Sequence, residues 1–437
     1  MKKIISILLI ITVCLSLASC VPNLKKYAVQ FADDPIKVDY TDAKREDYVA
    51  FLEKLDGFSA RLSASINTNR GMGQNFCISP ISVYMSLALA VECSSGETRN
   101  EILDALGMTY EEVSEFTKYL YAFCNREFTY DDGLGGGGIA AYEQLSNSIW
   151  VDDNLSVKLD SVDTLAKNYN CDFFAANYRD GSAEDMINQY IEYKTHGVIK
   201  GNLDFSSDSV FTLINTFYLK EIWNAFGRNL VFSAGYHPFE NFDGSHSEVR
   251  LLNSYYANGR VYETDYYSTF YAETEHGFRI HFIVPSENMS IGGIFTEKTI
   301  SEVLSLTDYG HIDHENKQLH YTKVLFPEFE TSFGGSLHDI MIKDFGIEGL
   351  FSADNCDLSG ITDTSIYCKD LIHKSKLNIT ASGIEGAAIS AIQGSTSPGP
   401  SAYEEVKHEF VINEAFGFVL TDSYGTVLFS GVVNHLN

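Results

Sequence analysis

Asn75-Phe76-Cys77-Ile78-Ser79-Pro80-Ile81-Ser82 is the stretch from which the fold can be worked out. It leads into residues 83–90, which are apolar enough for a buried helix. Ser95-Gly96-Glu97-Thr98 then breaks the run, and Thr98 is expected to cap a second helix over residues 99–106 that Gly107 ends. Strand-like runs follow at 144–151, 210–219, 278–284, 318–326, 409–420 and 426–433. Helical runs intervene at 157–169, 183–193, 298–306 and 336–345. Helices concentrate in the first half and strands close the chain, which predicts an α+β architecture around large sheets.

The 437 residues carry 31 Lys+Arg against 59 Asp+Glu, a formal charge of −28. A nucleic-acid binder needs a basic face to neutralise phosphates, so that class is excluded, and a heparin-type basic cofactor site is disfavoured. With 45% hydrophobic and 13% aromatic residues the chain can bury a large core. Only eight prolines occur, under half the roughly 5% average, and linkers are usually richer in them. From Tyr48 the pattern runs without repeat or linker, so residues 48–437 are expected to form one domain and to be a monomer.

The N-terminus reads as an address. Lys2 and Lys3 precede an apolar stretch, residues 4–17, which is too short to span a bilayer comfortably; Ala18-Ser19-Cys20 follows. Leu17-Ala18-Ser19-Cys20 resembles the bacterial lipobox, which implies that residues 1–19 are removed and that Cys20 is lipidated. Such lipoproteins carry more than one acyl chain, enough for stable anchoring at the outer side of the membrane. Removal of residues 1–19 takes Lys2 and Lys3 and brings the charge to −30. Residues 20–47 then read as the lipidated cysteine and a polar tether. Six further cysteines (Cys77, Cys93, Cys124, Cys171, Cys356, Cys368) show no CxxC spacing, and buried thiols are expected.

Searches for GxSxG, HExxH, Walker and EF-hand patterns find none, so no enzyme activity, metal or cofactor is expected. Residues 133–138 satisfy GxGxxG, but strand-like residues follow them, so they read as a hairpin connection.

Residues 75–82 resemble the signature of the serpin family, in which Asn, a hydrophobic pair and Ser-Pro-x-Ser open a buried helix. Further blocks arrive in serpin order: Ile187-Asn188 with Thr195, Gly197 and Ile199; Asn215-Thr216-Phe217-Tyr218-Leu219-Lys220 with Trp223; Phe326-Pro327-Glu328-Phe329; His373-Lys374; and Leu428-Phe429-Ser430-Gly431. The resemblance implies three β-sheets with about nine helices, an exposed reactive-centre loop, and a sheet-opening region containing Asn215, Trp223 and His373. Asn75, Asn215 and Trp223 read as structural: buried polar side chains satisfying backbone groups, and an aromatic beneath a sheet.

The loop carries the function that the resemblance implies. Gly383-Ile384-Glu385-Gly386-Ala387-Ala388-Ile389-Ser390 matches the family's hinge at Gly383, Glu385, Ala387 and Ala388, with Ser390 conservative. It departs at Ala381 and Ser382, where acids are usual, and at Ile384, where threonine is usual and where a slowed first insertion step is expected. In an inserted strand Ile384, Gly386, Ala388, Ser390, Ile392 and Gly394 would face one way, and none is charged. A charge there would oppose burial by several kcal/mol. An inserted strand from Ile384 to Thr396 would reach about 43 Å at 3.3 Å per residue.

Family spacing places the scissile bond at Thr396-Ser397 or Ser397-Pro398; the second is poor because few proteases cut before proline. Tyr403-Glu404 is the reserve. No Lys or Arg occurs between Gly383 and Val406, which favours elastase-, subtilisin- or papain-like proteases over trypsin-like ones. The expectation is a surface-anchored suicide-substrate protease inhibitor; the alternative is a non-inhibitory binding protein of the same fold.

Overall fold

The computed structural model describes residues 28–30, 42–70, 73–131, 137–201, 203–223, 230–306, 309–385 and 403–436. Among these residues are nine α-helices, three large β-sheets and one two-stranded hairpin.

Helix α1 (Asp42–Asn69) is followed by strand Phe76–Ile78 and helix α2 (Pro80–Cys93). The opening stretch therefore folds as a strand running into a helix that starts at its proline, the helical position where a missing N–H costs least. Almost every α2 residue is buried, because the helix packs against strands of two different sheets. Full burial of Leu87, Leu89 and Val91 contributes roughly 1.5–3 kcal/mol each. Asn75 closes this corner: its Oδ1 accepts the N–H groups of Asn434 (2.6 Å) and His435 (2.9 Å), and its Nδ2 donates to the His435 carbonyl.

The next helix runs Gly96–Leu106 with Ser95 at its N-cap, one turn earlier than Thr98 suggests. Thr98 lies inside the first turn, buried, and its hydroxyl accepts the Asp357 N–H at 3.0 Å. The threonine serves a distant segment instead of its own helix.

The largest sheet is built on β1 (Gly137–Asp152), β2 (Cys171–Ala176) and β3 (Phe211–Ile222), with helix α3 (Ser182–Lys194) between β2 and β3 in the chain. After β4 (Gln318–Pro327), which belongs to a second sheet, come β5 (Phe329–Ser336), β6 (Ile372–Thr380) and the two-residue β7 (Gly383–Ile384). The spatial order is Ala28–Gln30, β2, β1, β3, β7, β6, β5, and strand Glu127–Asp131 also pairs with β1. That last pairing brings Asp131 opposite Gly137, so the glycine-rich stretch joins two strands of a hairpin.

Ala28–Gln30 and the first turns of α1 fall within residues 20–47, which the sequence reads as a tether. The strand hydrogen-bonds antiparallel to β2 and extends the sheet edge. Part of the expected tether is thus folded onto the domain. Residues 1–27, including Cys20, lie outside the described residues.

The expected strand over 409–420 is two strands. β8 (Glu404–Val411) pairs parallel with β4, and Phe416–Thr421 belongs to the third sheet. Between them the chain crosses from one sheet to the other, held by Ile412 N–H on the Leu325 carbonyl and Ala415 N–H on the Glu240 carbonyl.

Candidate functional site

β3 and β6 do not pair with each other. Among the described residues the only strand between them is β7, which occupies one end of the gap: Gly383 pairs with Ile222 and Thr380, Ile384 with Glu221 and Ile379. β3 is hydrogen-bonded to β1 along its other edge and β6 to β5, so both flanks of the slot are paired outward, and beyond β7 no described strand lies within it. β7 is antiparallel to both neighbours, and a continuation of it would run along two edges that pair with no other strand among the described residues.

The local chemistry at the entrance explains why the chain turns there. Ile384 is 1% exposed and joins the main apolar core. The side chain lies under the sheet, where an apolar group gains and a threonine hydroxyl would need a partner. Gly383 has φ +140° and lies so close to β3 that an added Cβ would stand 2.1 Å from the Glu221 carbonyl oxygen. Glu385 then stops the strand with φ +63°, a left-handed conformation that few non-glycine residues adopt. Its N–H still reaches the Asn378 carbonyl (2.9 Å), and burial pushes its carboxyl above the usual carboxylate range.

Trp223 Nε1 donates to the Thr380 carbonyl at 2.7 Å, fixing the end of β6. His373 sits on the core side of β6; its Nε2 accepts the Ser79 N–H at 3.2 Å, and Ser375 Oγ donates to the Cys77 carbonyl at 2.5 Å. Residues 75–82 are thereby pinned to the strand bordering the slot. Burial without a charged partner pushes His373 down to about 3, so the ring is neutral and free to accept. Asn215, on β3, donates to Asn147 Oδ1 (2.6 Å) and the Ser146 carbonyl (3.2 Å). Its own Oδ1 is buried and has no hydrogen-bond partner among the described residues. Asn215 and His373 are not bonded to each other across the slot.

Glu221 is fully buried, and His276 Nδ1 donates to its carboxylate (2.9 and 3.1 Å). Burial pushes Glu221 up and the His276 bond pulls against that shift. Sequence reasoning missed this pair, since nothing in the spacing of Glu221 and His276 announces a contact.

At the far end the slot is roomy. A cavity of about 310 Å³ lies there, lined by Leu203, Phe211, Ile214, Lys369 and Ile372 among others. Helix α3 lies over this part of the sheet, with Ile187 and Ile191 packed among Ile199, Leu203 and Ile214 in a second apolar cluster. A strand entering the full slot would run between the main core and α3.

Gly386, Ala387, Ala388, Ile389, Ser390, Thr396 and Ser397 lie outside the described residues. Tyr403 and Glu404 lie where the chain rejoins the body. Glu404 opens β8, its N–H bonded to the Lys317 carbonyl at 2.9 Å, and the Tyr403 hydroxyl meets His314 Nδ1 at 3.1 Å. The six internal cysteines are all free thiols. Among the described residues no three His, Cys, Asp or Glu side chains gather to hold a metal ion.

The family model for Serpin (serine protease inhibitor) matches residues 53–436. The chain belongs to the serpin family. Serpins are generally protease inhibitors rather than catalysts. The rice (Oryza sativa subsp. japonica) serpin Serpin-ZXA is 25% identical over 405 residues, covering 87% of this chain and 96% of its own. The same fold occurs in tengpin, a thermophilic serpin in its native state (TM-score 0.68, 21% identity, 94% of this chain and 100% of that one). It occurs too in human thyroxine-binding globulin complexed with thyroxine (TM-score 0.70, 18% identity, 89% and 99%).

Proposed function

We propose that this serpin inhibits serine endopeptidases, and papain-like cysteine endopeptidases, as a suicide substrate. The observation that carries the reading is that, among the described residues, β3 and β6 are parted, with Gly383 and Ile384 paired between them at one end. The target's nucleophile attacks the scissile carbonyl and forms an ester, or a thioester, with the residue before the cut, while the new amine, that of Ser397, leaves with the segment leading to β8. The freed loop then extends β7 down the slot, carrying the acylated protease with it before water can deacylate it. Each backbone hydrogen bond gained contributes on the order of 1 kcal/mol net, and insertion forms ten or more.

Thr396-Ser397 is the preferred scissile bond. The reserve, Tyr403-Glu404, is less suited, because the Glu404 N–H is engaged by Lys317 and the residue belongs to a paired strand. The absence of Lys and Arg between Gly383 and Val406 supports elastase-, subtilisin- or papain-like targets. The signal-like N-terminus and Cys20 support lipid anchoring at a bacterial cell surface, on the outer side of the membrane, and the inhibitor in this reading is a monomer.

A non-inhibitory binding role is the second reading, favoured by the absence of acids at Ala381 and Ser382; thyroxine-binding globulin shows that the fold can hold a small molecule. Mixing the protein with subtilisin or elastase decides between them. The inhibitory reading predicts a covalent complex that survives SDS; cleavage without such a band, across several proteases, overturns it.

A further inference from the structure

The turn joining β6 to β7 is held from three directions. Trp223 Nε1 donates to the Thr380 carbonyl (2.7 Å), Leu230 N–H donates to the Ala381 carbonyl (2.7 Å), and Ala381 N–H donates to Glu328 Oε1 (2.7 Å). Inside the turn the Thr380 hydroxyl donates to the Gly383 carbonyl and accepts the Ser382 N–H. β6, the turn and β7 form a hairpin, so insertion lengthens one arm of it while the turn stays in place. The geometry of the turn therefore sets the register in which every later residue enters.

Glu328 is the one side-chain carboxylate in this set, and it comes from elsewhere in the chain. It stands between β4 and β5, one residue before Phe329, which pairs with Ile379 of β6. That register brings Glu328 beside the end of β6. Neither Ala381 nor Ser382 offers an acid of its own. Phe329 is buried whereas Glu328 is exposed, so its carboxylate can be removed without opening the core.

We propose that Glu328 is a positioning residue for loop insertion: its carboxylate holds the Ala381 N–H and keeps the hinge turn in the register from which β7 extends. The proposal rests on the inhibitory reading. Glu328 touches neither protease nor scissile bond, so it acts through the turn and leaves the rate of loop cleavage unchanged.

The test compares the intact protein with E328A and E328Q, using subtilisin. Two quantities are read: the moles of serpin consumed per mole of protease trapped, and the rate at which loop-cleaved protein becomes heat-resistant. Losing a hydrogen bond to a charged acceptor should raise consumption by E328A several-fold, up to about tenfold, and slow its gain of heat resistance to match. E328Q, which keeps an acceptor oxygen, should stay near the parent. Equal consumption and equal rates for E328A and the parent overturn the role of Glu328 alone. If the cleaved parent gains no heat resistance, insertion itself is absent and both readings fall.

Discussion

The carbonyl oxygen of Glu221 occupies the space that a Cβ on residue 383 would need, with only 2.1 Å between them. Glycine at this position is thus fixed by two constraints at once, a φ of +140° and the approach of β3. Gly383→Ala should push β7 out of the sheet, at a cost of about 1–3 kcal/mol in backbone strain alone. The variant is expected to fold, because the rest of the sheet is paired independently, and to be cleaved by subtilisin as a plain substrate. Counting trapped against cleaved molecules checks this.

Ile384 would be the first side chain of an inserted strand, and it is buried in β7. Ile384→Lys should cost several kcal/mol, since it places an unpaired charge beneath the sheet. Ile384→Val should cost roughly 0.5–1.5 kcal/mol. Urea unfolding of the uncleaved proteins measures both, and trapping should be lost in the first and kept in the second.

His373 gives an acid-side prediction. Its folded pKa of about 3 lies below the unfolded value near 6.5, so the stability it confers is present above that value and is lost as pH falls toward 3. Protonation would also turn the acceptor for Ser79 into a donor. Each pH unit in that window should cost on the order of 1.4 kcal/mol through this residue. In His373→Gln, which keeps an acceptor, the pH dependence between 6 and 4 should be shallower by that amount. Denaturation series at several pH values compare the slopes.

Asp56 works in the opposite direction. Burial first, then the nearby Asp422 and Glu53 charges, push it up to about 8, and its Oδ1 has no hydrogen-bond partner among the described residues. Because the folded pKa exceeds the unfolded one, its contribution is full below about 4 and is lost as pH rises through 8. Asp56→Asn should therefore be more stable than the parent at pH 8–9, by on the order of 1 kcal/mol or more, and should lose the alkaline decline. Melting temperatures at pH 5, 7 and 9 check the sign.

How far the sequence could be read depended on how local each signal was. The stretch Asn75 to Ser82, the β3 block from Asn215 and the closing Leu428-Phe429-Ser430-Gly431 are contiguous patterns, and they were sufficient for family and fold. The inward placing of Ile384 follows from strand alternation alone. What could not be read depends on contacts across the chain. Glu328 meets Ala381 across 53 residues and Glu221 meets His276 across 55, and an exposed acid in a turn carries no mark of its partner. The edge strand Ala28–Gln30 was hidden because three residues in a polar stretch have too little periodicity to read. Thr98 misled for the opposite reason: a locally valid cap residue was used for a long-range bond to Asp357.

The most direct test is to cut the loop with papain or subtilisin and compare melting before and after. If β7 extends into the slot between β3 and β6, the cleaved protein should melt at a sharply higher temperature than the intact one. Nearly equal melting temperatures would contradict the account, since the slot would then remain open after the loop had been freed to fill it.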